Sequence, residues 1–147
     1  ILSKFAQREE VVTEGSALSS AIKGAQQILK NRSMVFILSD FRCEDYQDNL
    51  ARLAQKHDVV AIRFTDANDF ELPDFGMVRV QDPETNEEKT YPSFSSNFKR
   101  SWRENSNNVL ERWKYMCKKN GVIPLIISTA DDPALRLSRF FAIKEKV

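Results

Sequence analysis

Three short apolar runs constrain this chain more than any other feature. They are Met34-Val-Phe-Ile-Leu38, Val59-Val-Ala-Ile62 and the stretch from Val122 to Ile127. Continuous apolar runs of this length read as strands buried on both faces, the pattern of a parallel sheet rather than a half-exposed antiparallel one. None approaches the ~20 residues that a membrane span requires. The segments between them carry helical periodicity, so the expected class is α/β.

The periodicity places the remaining elements. Leu18, Ala21, Ile22, Ala25, Ile28 and Leu29 recur at steps of three and four, which predicts a helix from Ser16 to Lys30 with Ser16 as N-cap. A strand at Met34–Leu38 precedes a helix at Glu44–Lys56, with Tyr46, Leu50, Leu53 and Ala54 inward. The next strand spans Asp58–Phe64. An acidic loop over 65–75 leads to a hairpin of Met77–Val80 and Glu88–Tyr91, turned around Pro83 and Asn86. A long helix from Ser95 to Lys119 presents Phe98, Trp102, Val109, Leu110, Trp113, Met116 and Cys117 as its apolar stripe. Gly121 stops it. After the strand at Val122–Ile127, residues Thr129 to Asp132 cap a last helix with Pro133 near its first position. Leu135, Leu137, Phe140, Phe141 and Ile143 supply that helix's packing. The order α-β-α-β-hairpin-α-β-α is an open, doubly wound layout that is incomplete. The strand at 34–38 has the look of a mid-sheet strand. With nothing on its free side it becomes an apolar edge, through which the isolated chain is expected to self-associate, or else to swap elements.

Charge and cysteine content narrow the function classes. Lys plus Arg is 22 and Asp plus Glu is 21, a balance that argues against a polybasic nucleic-acid or membrane binder. Two distant cysteines, Cys43 and Cys117, form no disulfide framework, and a single His leaves a zinc site short of ligands. These features fit the reduced cytoplasm. The 147 residues suit one domain. They start at Ile1 with no signal peptide, as expected of a piece of a longer protein.

Ligands of open α/β sheets bind beyond the C-terminal strand ends, which here are Ser39-Asp40, Thr65-Asp66 and Ser128-Thr129. Oxygen ligands at such a rim suit a hard cation such as Mg²⁺. Asp40 follows a strand directly and reads either as a metal ligand or as the cap of the next helix. Ser16 reads as an N-cap or as a hydroxyl ligand, and Thr13 is an alternative in that part. Asp66 and Asp69 read as a solvated loop, and Thr129, Asp131 and Asp132 as the last helix's cap. His57 falls at the opposite end of the sheet, where a cation suits a helix C-terminus. Cys43 lacks a nearby His to act as its base. No phosphate-cradling glycine loop and no nucleophile elbow occurs in the sequence.

Five ordered motifs carry a family resemblance. Residues 32–41 (RSMVFILSDF) resemble the signature RRSLVFLLSDF, and residues 56–63 (KHDVVAIR) resemble RHDVVAVRV. Residues 71–79 (ELPDFGMVR) are similar to ELPDVGLVRL, and residues 82–87 (DPETNE) to DPETGE with Asn86 for the glycine. Residues 128–132 (STADD), followed by Arg139-Phe-Phe141, match STDEDP…RFF. The chain thus resembles the C-terminal half of the MoxR-associated bacterial family of unknown function, domain-of-unknown-function family fifty-eight, with its von Willebrand factor A-like domain.

The resemblance implies a partial von Willebrand factor A-like, Rossmann-type open parallel sheet with a hairpin insertion. It also implies a metal-ion-dependent adhesion site for Mg²⁺, in which Asp40 matches the Asp after the fourth strand and Ser16 stands where the family has a Thr. The Asp-x-Ser-x-Ser segment of that site has no counterpart here. The expected function is a non-catalytic protein-interaction module that works with a MoxR-type AAA+ ATPase. A Mg²⁺-dependent Rossmann-like hydrolase, or a structural fragment with no metal site, is the alternative.

Overall fold

The computed structural model describes residues 17–71, 76–81 and 88–144. Helix α1 (Ala17–Ile28) leads into β1 (Met34–Ser39), α2 (Gln47–Ala54) and β2 (Asp58–Thr65). A hairpin of β3 (Met77–Gln81) and β4 (Glu88–Pro92) precedes α3 (Ser96–Lys119), β5 (Ile123–Ser128) and α4 (Pro133–Lys144). The three apolar runs form one parallel sheet in the order β1-β2-β5. The fold is therefore a mixed α/β, partial Rossmann-like arrangement. The hairpin does not extend this sheet but stands as a separate antiparallel pair. Its base is closed by Ser93, whose N–H and hydroxyl both donate to the carbonyl of Gly76 (2.7 and 2.8 Å). The turn expected at Pro83 and Asn86 lies outside the described residues.

Side-chain alternation splits the sheet into two unequal faces. Val59 and Ala61 of β2, with Val35 and Ile37 of β1, pack beneath α1, α2 and α3 through Ile22, Leu50, Leu53, Trp113 and Cys117. Each fully buried aliphatic side chain contributes about 1.5–3 kcal/mol, so this layer supplies most of the core. The opposite face gathers Val60, Ile62 and Ile127, with Ile123 and Leu125 beside them and Leu137 and Phe140 of α4 above.

The expectation that β1 is buried on both faces is corrected here. Its burial alternates, and Met34, Phe36 and Leu38 are exposed. Two causes act together: β1 lies at a sheet edge among the described residues, and α4 meets it through an edge-on contact of Phe141 with Phe36 at 6.0 Å that leaves both rings partly exposed. The packing set expected of α4 shrinks likewise. Leu137 and Phe140 pack on the sheet, while Leu135 and Ile143 are exposed. Strand β5 is the other edge, which tolerates Pro124 and its missing N–H.

Helix ends follow local chemistry. Ser95 caps α3, and Gly121 (φ 71°) ends it in a Schellman arrangement, with Gly121 N–H donating to Lys118 and Val122 N–H to Cys117. Asp132 caps α4 by accepting from the N–H groups of Ala134 and Leu135. Helix α2 starts later than its periodicity predicts, because Phe41 and Asp45 take left-handed backbone angles (φ 51° and 61°). Those angles shape an irregular connector ahead of Gln47.

Candidate functional site

The C-terminal rim of the sheet is a lattice of short-range hydrogen bonds. After β1, the Ser39 hydroxyl accepts from Phe41 N–H (3.0 Å) and Asp40 Oδ1 accepts from Arg42 N–H (3.3 Å). The chain turns so sharply that Phe41 lies in a region most side chains avoid, at a cost of roughly 1–2 kcal/mol. Its ring is held there by Trp113 and Tyr46, at centroid distances of 5.1 and 5.5 Å. Asp40 is thereby displayed at the surface. It does not cap α2, whose N-cap position is Tyr46.

After β2, Asp66 opens a single 3-10 turn at Ala67–Asp69 with a capping box. Asp66 Oδ1 accepts from Asn68 N–H (2.9 Å), and Asp69 Oδ2 accepts from Asp66 N–H (2.9 Å). Asp69 also pairs with Arg42 from the β1 end. Thr129, at the β5 end, donates from its hydroxyl to Asp66 Oδ2 (2.6 Å) and from its N–H to the carbonyl of Thr65 (2.9 Å). These bonds hold the Asp66 carboxyl below the usual carboxylate range, the Thr129 hydroxyl first among the causes. Asp131 is lowered in the same way, first by the Ser128 N–H and then by Arg136.

Beside the rim, a cavity of about 380 Å³ lies between the end of β2, the turn after it and α3. Arg63 and Thr65 of β2 line it, with Trp102, Asn105 and Ser106 of α3. Burial pushes the Arg63 guanidinium down from its ordinary value. The guanidinium carbon sits 5.5 Å from the centre of the Trp113 ring, a cation–π contact that offsets part of that desolvation.

Comparison with known proteins now places the chain. The family described as "Protein of unknown function DUF58" matches residues 2–110. The chain belongs to the DUF58 family. A relative from Mycobacterium avium, "Uncharacterized protein MAV169", is 41% identical over 69 residues, covering 46% of this chain and 41% of the relative. "Uncharacterized protein Mb1516" from Mycobacterium bovis and "Uncharacterized protein Rv1480" from Mycobacterium tuberculosis are each 38% identical over 69 residues, 46% of this chain and 22% of theirs. The chain therefore spans well under two thirds of these relatives. No solved structure matches it.

Within this DUF58 chain the rim collects the three strand ends that the sequence singled out. Asp66 and Asp69 are not a merely solvated loop: both carboxylates brace the turn, and Asp69 reaches Arg42. Asp40 stands apart. Among the described residues no group of three or more His, Cys, Asp or Glu side chains could hold a metal ion, so the donors present do not fit a Mg²⁺ site by themselves. Ser16 and Thr13 lie outside the described residues. No described helix is long and apolar enough to cross a membrane.

His57 is buried, and its Nδ1 accepts from Ser33 N–H (3.3 Å). It lies just beyond the end of α2, its backbone N–H donating to the Leu53 carbonyl (3.0 Å), and joins two connectors at the N-terminal end of the sheet. Cys117 is buried, and burial pushes its thiol up to about 11, which suits packing and not chemistry. Arg63 is the residue that sequence reasoning passed over. Its signal was available: alternation from Val59 through Ala61 puts a charged residue on the inward face.

Proposed function

We propose that this DUF58 chain forms part of a non-catalytic protein-interaction module whose partner is an AAA+ ATPase of the MoxR type. The observation that carries the reading is the exposed stripe of Met34, Phe36 and Leu38, continued by Phe64, on and beside an edge strand. An apolar stripe next to an open hydrogen-bonding edge suits a protein partner that adds a strand or docks apolar side chains. The ATPase is named from the five motifs that carry the family resemblance, which also support a von Willebrand factor A-like architecture for the longer protein. The DUF58 description itself names no partner.

Mg²⁺ enters this reading only as a contribution from Asp40, with Ser16 as a second donor. The other donors would have to come from outside the described residues.

The test is binding of the full chain to the MoxR-type ATPase of the same genome, measured by surface plasmon resonance. The native chain should bind, and Leu38→Asp should weaken binding at least tenfold, or about 1.4 kcal/mol. Failure of the native chain to bind would remove the ATPase from the proposal. Equal binding by Leu38→Asp would remove the β1 stripe.

A further inference from the structure

The cavity beside the rim holds an unbalanced charge. Arg63 is nine-tenths buried (9% exposed), and its Nε has no hydrogen-bond acceptor. Among the described residues no carboxylate lies within ion-pair distance of it. Trp102, on the same cavity wall, also has a buried Nε1–H without an acceptor. Buried donors are almost always satisfied, and a buried cation without a counter-ion is costly. Two such donors on one cavity wall point to a missing acceptor. Arg42, which also lines the cavity, does not change the balance, because Asp69 neutralises it.

The size of the imbalance selects the ligand. One positive charge is matched by one carboxylate, which the planar guanidinium binds through two parallel hydrogen bonds. A phosphate monoester, at about −1.5 to −2, would leave excess negative charge beside Asp69 and Asp40. Next to this cavity lies a second one of about 430 Å³, which shares Phe70 and is lined by Lys99, Arg100 and Arg103 of α3. Glu71 pairs with Arg103 there (3.1 Å). Arg103 is thus matched, and Lys99 has an interaction of its own, so among the described residues Arg100, bonded only to the neutral Asn97, carries the charge left over there. A second unmatched cation beyond Arg63 fits two carboxylates on one peptide better than a single small anion.

We propose that the two cavities together receive an acidic peptide segment of a protein partner, one carboxylate seating on Arg63 beside Trp102 and a second reaching Arg100 in the adjoining cavity. This rests on the reading of the chain as a protein-interaction module, but it uses a surface other than the β1 stripe. Burial lowers the Arg63 pKa; Tyr46 is first among the groups that oppose it, followed by Asp69 and Asp40 from beyond ion-pair distance. A seated carboxylate would relieve the desolvation.

The experiment titrates a hexaglutamate peptide into the full chain at low salt and follows the Trp102 indole N–H by NMR. Hexaglutamine, sodium acetate and inorganic phosphate are the comparison ligands. Hexaglutamate should shift the Trp102 signal and bind at least tenfold more tightly than each of the three. Arg63→Gln should weaken that binding at least tenfold, and Trp102→Phe, which keeps a ring but removes the N–H, severalfold. Circular dichroism checks that each variant folds; if Arg63→Gln does not, Trp102→Phe decides. Equal binding of hexaglutamine overturns the proposal, as does unchanged binding by the variants. Acetate binding as tight as the peptide's would make this a small-carboxylate site and overturn the peptide reading, and tighter phosphate would overturn the carboxylate. Loss of hexaglutamate binding while the ATPase still binds through the β1 stripe would sink this inference alone. Peptide binding without ATPase binding would sink only the choice of ATPase.

Discussion

The Thr129 hydroxyl donates a 2.6 Å hydrogen bond to Asp66 Oδ2, joining residues 63 positions apart at the ends of β5 and β2. Asp66 in turn braces the turn that carries Asp69, and Asp69 pairs with Arg42 beyond the end of β1. One chain of polar contacts thus spans all three strand ends.

That bond makes a pH prediction. The folded Asp66 carboxyl sits below its unfolded value, so the stability it contributes is present above about pH 4 and is lost as pH falls through the folded value. Thr129→Val should bring the Asp66 titration back toward the ordinary carboxylate range and make unfolding less sensitive to acid. Carboxyl-carbon NMR titration of both forms checks it. An unmoved Asp66 midpoint would mean that the Thr129 bond is not formed in solution.

Phe41 sets backbone strain against ring burial. Phe41→Gly should relieve about 1–2 kcal/mol of left-handed strain but forfeit about 3–5 kcal/mol of aromatic burial against Tyr46 and Trp113. The variant should be less stable by roughly 2 kcal/mol net. Urea denaturation measures this, and a variant as stable as the native chain would show that the ring does not hold the turn.

The exposed β1 stripe predicts association of the isolated chain. Sedimentation velocity should show a concentration-dependent dimer or larger species, and Leu38→Lys should suppress it. Leu38 is 59% exposed, so the substitution should change stability by no more than about 0.5 kcal/mol. A native chain that stays monomeric at high concentration would count against an adhesive edge.

The sheet was legible in the sequence because β2 needs nothing but its own residues to declare itself. An uninterrupted run from Val59 to Ile62 has few other ways to avoid water. Runs alone cannot distinguish a central strand from an edge strand, and β1 shows why. Met34, Phe36 and Leu38 look as buried in sequence as their neighbours, yet their exposure depends on how far α4 extends. The rim was half legible. Strand ends located Asp40, Asp66 and Thr129, but local spacing does not reveal a hydrogen bond across 63 positions. The Arg63 cavity was missed because a charge at the end of an apolar run reads as the strand leaving the core. The alternation from Val59 through Ala61 nonetheless points Arg63 inward, where Trp113 of α3 covers it.

The central place of β2 also orders how this chain should come apart. Its amides are bonded to a strand on each side, and both its faces are packed, one beneath three helices and the other beneath α4. Amide deuterium exchange should be slowest there. The last turn of α4, where Phe141 and Ile143 are exposed, should exchange soonest among the described helices. Any partner that settles on the Met34, Phe36 and Leu38 side would therefore meet the end of α4, and its first measurable effect should be slower exchange there.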